Sequence, residues 1–221
     1  MSAADFAAAR RLYAGEALGT KLFVLARRML APLGAIAARV PAEGRLLDVG
    51  CGHGLFSLAL AAADPSRKIV GIDPSPAKIS VAVRAGKSFA NVEFREGVVE
   101  SLEGERFAAI TVLDVLYLLP DAQKKSLLAA CCGLLAPGGT LVLKTNDTHP
   151  AWKYRVARAQ ERLMTGVGLT LGTGKLYFRS CAENAALLRE TGFDVEVRHL
   201  SHWSPYPHTL FVARPVATAS A

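Results

Sequence analysis

The chain has no C-x-x-C pair among its four cysteines, Cys51, Cys131, Cys132 and Cys181, so the usual zinc and dithiol spacings are missing and no metal site is expected. Such thiols fit a reduced, cytoplasmic protein. It also lacks an unbroken apolar run of membrane-spanning length, because Arg27, Arg28, Pro32 and Arg39 interrupt the most apolar early segment. No positive stretch leads from Met1 straight into an apolar core, so no signal peptide is expected. Long blocks of like charge are absent as well, and the net charge of +7 is spread along the chain. That reads as a solvated surface in preference to a nucleic-acid patch. What is present is 221 residues, 51% hydrophobic and 20% charged, enough for one sizeable core.

The most informative stretch runs from Arg45 to Phe56, R-L-L-D-V-G-C-G-H-G-L-F. Leu46, Leu47 and Val49 suit a buried strand, Gly50, Gly52 and Gly54 suit neither regular element, and Phe56 onward resumes at helical spacing. A backbone nearly without side chains therefore sits at a strand tip. There it tolerates positive φ, admits a ligand close to the main chain and offers helix-start N–H groups to an electron-rich partner. The glycine spacing is G-x-G-x-G, one residue short of the dinucleotide fingerprint, which argues against a nicotinamide enzyme.

The stretch D-V-G-C-G-x-G resembles motif I of the class I S-adenosylmethionine-dependent methyltransferases. The resemblance implies that Asp48, Gly50, Cys51, Gly52 and Gly54 hold the cofactor S-adenosyl-L-methionine, and that Asp73, with Pro74, meets its ribose. Asp73 ends the expected second strand, Lys68 to Asp73, where an acid is placed to accept hydrogen bonds from hydroxyls. The chain departs from the family after Gly97, where an acid is common and Val98-Val99 stands here. Main-chain groups and apolar contact from Val98 and Val99 are the expected substitute. Asp114, at the end of the fourth strand, either faces the cofactor or satisfies backbone N–H groups. The segment after it lacks N-P-P-Y, which disfavours base N-methylation. L-x-P-G-G-x-L-V, from Leu135, is a further family pattern.

The expected fold is α/β: a Rossmann-like seven-stranded, mostly parallel sheet with an antiparallel last strand and helices on both faces. Residues 1–43 are expected to form a helical cover, 44–215 the methyltransferase domain with an acceptor-side insertion at 145–180, and 216–221 a tail. The cover is amphipathic and basic, with Leu22, Leu25, Met29, Leu33, Ile36 and Val40 recurring at three or four residues. It suits packing on its own domain, a lid over a lipophilic acceptor, or peripheral contact with an anionic membrane. Pro137-Gly138-Gly139 is expected to form a turn before a strand at Thr140 to Lys144, and Asp121 to cap the preceding helix. Ser75-Pro76 and Ser180-x-x-Glu183 read as helix starts. The last two strands, joined by a loop too short for a crossover helix, must form a hairpin.

A methyl group on sulfonium is already activated, so the protein must align a nucleophile, exclude water and accept a proton if the acceptor carries one. Residues at the carboxyl ends of the later strands are the candidates. Tyr117, His149, His202 and His208 lead, beside Asp147, Trp152, Trp203 and Tyr206. The expected activity is methyl transfer to an oxygen or carbon of a small aromatic or lipophilic metabolite. The alternatives are methylation of RNA or protein, or a non-catalytic cofactor-binding subunit.

Overall fold

The computed structural model describes residues 11–166 and 176–216. Residues 1–10 of the expected cover, the middle of the expected insertion and most of the expected tail lie outside the described residues. The first helices, α1 (Leu18–Leu30) and α2 (Leu33–Ala37), are separated at Pro32, whose missing N–H and fixed φ interrupt a continuous helix. Then follow β1 (Arg45–Val49), α3 (Leu55–Ala63), β2 (Lys68–Asp73), α4 (Pro76–Ala85), β3 (Val92–Glu96) and β4 (Phe107–Leu113). The chain continues through α5 (Asp121–Leu134), β5 (Leu135–Asn146), α6 (Ala151–Gly166), α7 (Cys181–Glu190), β6 (Phe193–His199) and β7 (His208–Pro215).

The seven strands form one sheet in the order β3-β2-β1-β4-β5-β7-β6. β1 to β5 are parallel to one another, while β7 runs antiparallel to both β5 and β6. The expected mostly parallel sheet with its reversed last strand is thus present. Alternation of side chains along the strands splits the interior into two cores. Leu46, Ala109, Leu113, Val142, Leu210 and Val212 face the side covered by α1 to α4. Leu47, Ile110, Val112, Leu141, Leu143 and Phe211 face the side covered by α5 and α7.

Two local expectations are corrected. The P-G-G segment is part of β5 instead of a free turn: Leu135 pairs with Phe107, and a register shift between Phe107 and Ala109 absorbs the extra residues, with Gly138 at φ 73°. Asp121 is the first residue of α5 instead of its cap, and no side chain caps that helix. Its carboxylate accepts from Lys124 Nζ and pairs with Arg179, while Lys124 also donates to the Tyr177 carbonyl at 2.6 Å, so it ties α5 to the chain before α7. Ser75 caps α4, and Ser180 with Glu183 forms a capping box on α7.

Candidate active site

The carboxyl ends of β1 and β2 carry the glycine turn. Gly50, Gly52 and Gly54 have φ of 70°, 57° and 81°, a region that favours glycine strongly. They are not equivalent. A Cβ on Gly50 would lie 2.4 Å from Val115 Cγ2 and one on Gly54 would lie 2.6 Å from Phe94, whereas one on Gly52 would meet nothing within 4 Å. The first and last glycines let the turn pack. Gly52 presents bare backbone to open space.

Asp73 fixes this turn from the neighbouring strand. Its Oδ2 accepts from the Gly52 N–H at 3.0 Å and its Oδ1 from the Ser75 N–H at 2.9 Å. A carboxylate has about four acceptor directions, so both oxygens retain capacity for ligand hydroxyls. Asp48 behaves differently. It is buried and accepts from Ser57 Oγ at 2.6 Å and Thr111 Oγ1 at 2.7 Å, linking β1 to α3 and β4. Burial pushes its carboxyl above the ordinary range, against the pull of those two hydroxyls. Burial, with Asp48 and Asp73 nearby, likewise raises the Cys51 thiol, which stays neutral.

The turn opens into a cavity of about 430 Å³. Gly50, Cys51, Gly52, His53, Asp73 and Pro74 form one end, with Asp48 behind them. Tyr117, Leu118, Asn146, Tyr206 and His208 form the other, and Phe23, Val24, Arg27 and Leu30 of α1 close the cavity from above. The residues of the cover therefore line the site directly. Its opposite face exposes Leu18, Leu22 and Met29. Among the described residues, no helix is long and apolar enough to cross a membrane.

A buried ionic cluster secures the cover. Arg27 Nη1 lies 2.7 Å from Asp114 Oδ2, and Arg27 Nη2 donates to the Leu113 carbonyl. Lys144 Nζ lies 2.6 Å from Asp114 Oδ1 and 3.2 Å from Asn146 Oδ1. Burial alone would raise the Asp114 carboxyl, but Lys144 and Arg27 hold it below the ordinary range. Asp114 also adopts φ 61°, which an aspartate tolerates better than most residues, and its N–H donates to the Lys144 carbonyl. The Asp114 carboxylate thus lies at the cavity edge and pairs with two cations, Lys144 and Arg27, instead of satisfying backbone N–H groups.

Of the four leading catalytic candidates, Tyr117 and His208 reach the cavity. Tyr117 is buried and stacked on Phe178 with ring centroids 4.6 Å apart. His208 is 3% exposed, and because β7 is antiparallel its first residue pairs with Asn146 at the carboxyl end of β5. Burial, then the Lys144 charge, pulls its pKa down to about 3, so the ring is neutral. His202 stands one contact behind it, bridged through Ser204. His149 is exposed beside Thr148 and does not line the cavity. Trp152 and Trp203 are exposed, and Asp147 accepts from the Thr148 and Cys181 N–H groups.

Gly54, Val98 and Val99 do not line the cavity. Val99 folds through a short 3-10 turn into the core beneath the sheet, and Val98 is half exposed. Sequence reasoning passes over Arg27, Leu30, His53, Lys144, Asn146 and Ser204 as site residues. His53 lines the cavity, its ring 5.1 Å from Phe23. Strand parity was an available signal for two of them, since Lys144 and Asn146 alternate with Leu143 and fall on the same face as Val142. No local signal marks Arg27.

A family profile described as a methyltransferase domain matches residues 21–203. The ubiquinone biosynthesis O-methyltransferase of Xanthomonas campestris pv. campestris (strain B100) is 40% identical over 121 residues, 52% of this chain and 49% of that protein. The protein of the same name from Xanthomonas axonopodis pv. citri (strain 306) is 34% identical over 170 residues, 73% of this chain and 67% of that protein. The match to the first of these spans about half its length. In fold, the chain is similar to an O-methyltransferase family protein from Burkholderia thailandensis, with a TM-score of 0.71 at 18% identity, over 90% of this chain and 59% of that one. The glycine turn, the strand order and the profile match over residues 21–203 agree, and the chain belongs to the methyltransferase-domain family, of the class I S-adenosylmethionine-dependent kind.

Proposed function

We propose that the protein methylates the hydroxyl oxygen of a small, lipophilic acceptor, a phenol or enol in class, with S-adenosylmethionine as methyl donor. The observation that carries this reading is one cavity with two chemically distinct ends. A bare glycine backbone and the Asp73 carboxylate stand at one, and aromatic and apolar walls around a neutral histidine stand at the other. The open space at Gly52 and the spare acceptor capacity of Asp73 suit a nucleoside. A volume of about 430 Å³ lies in the range of small-molecule sites. Similarity to proteins named ubiquinone biosynthesis O-methyltransferases supports an oxygen acceptor of lipophilic character.

When bound, S-adenosylmethionine supplies a methyl group already activated on a sulfonium centre. The chain contributes position and exclusion of water. Gly52 lets a ligand lie on the turn, Asp73 accepts from ribose hydroxyls, and Phe23, Val24 and Leu30 shut solvent out from the side of α1. Tyr117 and Tyr206 wall the acceptor. His208, whose ring is neutral, accepts a hydrogen bond from the acceptor hydroxyl and takes its proton. A proton-bearing oxygen uses that histidine, whereas a carbon acceptor does so only if it enolises.

Isothermal titration with S-adenosylmethionine and with its demethylated product tests the first half, and absence of binding to both overturns the proposal. Mass spectrometry of products from a panel of phenols tests the second half. Products methylated on carbon, or on the hydroxyl-capped analogues as readily as on the free phenols, would refute the oxygen assignment.

A further inference from the structure

We infer that His208, Ser204 and His202 form a proton relay that carries the acceptor's hydroxyl proton out of the covered cavity to solvent. The inference rests on the methyltransferase reading above and adds a path for the proton. Its geometry is a chain of short contacts. His208 Nε2 lies 2.8 Å from Ser204 Oγ, and Ser204 Oγ lies 2.8 Å from His202 Nδ1. His208 is buried and lines the cavity, while His202 keeps part of its surface in solvent in the β6–β7 loop.

The donors along this chain can be assigned one by one. His208 Nε2 also lies 3.0 Å from the Leu30 carbonyl of α1, and a carbonyl only accepts, so Nε2 carries the proton. That N–H is shared between Leu30 O and Ser204 Oγ, a three-centre arrangement common in proteins. Ser204 Oγ, being an acceptor toward His208, directs its own hydrogen to His202 Nδ1. The Ser204 N–H points at the same nitrogen, at 3.2 Å, so His202 Nδ1 is a lone pair in the resting state. One atom is left over. His208 Nδ1 is buried with no hydrogen-bond partner among the described residues, an acceptor awaiting a donor.

Buried acceptors without partners are costly, and those kept in native structures call for an explanation. A ligand hydroxyl at Nδ1 removes the deficit. The proton balance is then simple. The acceptor oxygen gains its methyl and gives its proton to His208 Nδ1. The Nε2 proton passes to Ser204 Oγ, the serine proton to His202 Nδ1, and the His202 Nε2 proton to water. One proton leaves the site and no side chain stays charged. Both rings end in the opposite tautomer. The resting one returns once the product has left, when His208 gives its Nδ1 proton to water in the emptied cavity and a solvent proton comes back along the relay to Nε2, facing the Leu30 carbonyl. This answers a difficulty with His208 acting alone, because a ring held neutral down to about pH 3 is a poor place to keep a proton and an adequate place to pass one through. It also gives the cover a second duty. The Leu30 carbonyl pins the tautomer, so the base is correctly set when α1 lies over the cavity. Ser204 and His202 are positioning residues in this scheme, since neither touches the acceptor.

The test is nitrogen-15 NMR of the histidine rings in the full chain with the demethylated cofactor added, for wild type, Ser204→Ala and His202→Gln. Wild type is expected to show His208 protonated at Nε2 and bare at Nδ1, with His202 bare at Nδ1. Exchange of the His208 Nε2 proton with solvent is expected to slow at least tenfold in both variants while the His208 tautomer is retained. His202→Gln, at a half-exposed site, preserves the test if the buried Ser204→Ala change disturbs folding. A His208 ring protonated at Nδ1, or exchange unchanged in the variants, overturns the relay. If those results came with intact binding of the demethylated cofactor, the methyltransferase reading would stand without it. A chain whose rings behave as expected but that binds neither form of the cofactor would keep the relay and lose that reading.

Discussion

The two ends of the cavity are held together in opposite ways. At the glycine end the decisive contact joins Gly52 to Asp73, residues 21 apart, across two adjacent parallel strands. At the acceptor end it joins Leu30 to His208, residues 178 apart, and the Arg27–Asp114–Lys144 cluster spans α1, β4 and β5. The first end is a property of one strand-turn-helix unit and its neighbour. The second exists only when the N-terminal helix lies on the sheet and the last strand has turned back beside β5. Cofactor capture and acceptor chemistry should therefore respond separately to mutation.

The largest expected separation comes from His208→Gln. Glutamine retains a donor for the Leu30 carbonyl but supplies no base, so kcat should fall on the order of 10²- to 10⁴-fold with cofactor affinity unchanged. Single-turnover kinetics beside calorimetry would show it, and a joint loss of both would merge the two ends into one unit. Gly52→Val attacks the other end. Its Cβ enters the open space over the turn at a positive φ, and cofactor affinity should drop on the order of 100-fold, about 3 kcal/mol, while His208 keeps its tautomer. Unaltered binding would mean that no ligand approaches this backbone.

Arg27→Met probes the tie between cover and sheet. Loss of its charged hydrogen bonds should lower unfolding stability by about 1.5 to 3 kcal/mol in urea titrations, with Lys144 still compensating Asp114. The smallest effect, taken over a single pH unit, is a pH slope. The unfolded His208 ring has a pKa of about 6.5, and burial together with Lys144 takes the folded value to about 3. Between those values the unfolded chain binds the extra proton. The stability of the neutral ring is complete above about pH 6.5 and declines by about 1.4 kcal/mol per unit as pH falls toward 3. Urea midpoints at pH 7, 6 and 5 should lose that share of their slope in His208→Gln.

Legibility in the sequence follows the same division. The glycine turn, Asp73 at the end of β2, the Ser75 cap and the capping box at Ser180 each depend on residues close in sequence, and all were readable. So was the reversal of β7, because a short loop can join only antiparallel neighbours. His149 and His202 resembled His208 in sequence, since each lies near a strand end. Which of them reaches the cavity depends on which face of the sheet each side chain takes and on what covers that face. Val98 and Val99 were misleading for a related reason: a short 3-10 turn sends Val99 beneath the sheet, a detail that hydrophobicity does not encode.

By itself the sequence determined a parallel α/β sheet and a bare turn at its carboxyl edge, because strand alternation, glycine's access to positive φ and helix capping are short-range effects. Only the tertiary structure decided that Arg27 reaches Asp114, that Leu30 fixes the tautomer of His208 and that Ser204 bridges two histidines. Those contacts arise from the docking of distant elements, and hydrogen-bond direction is settled by the acceptor that arrives, not by the residue that waits for it.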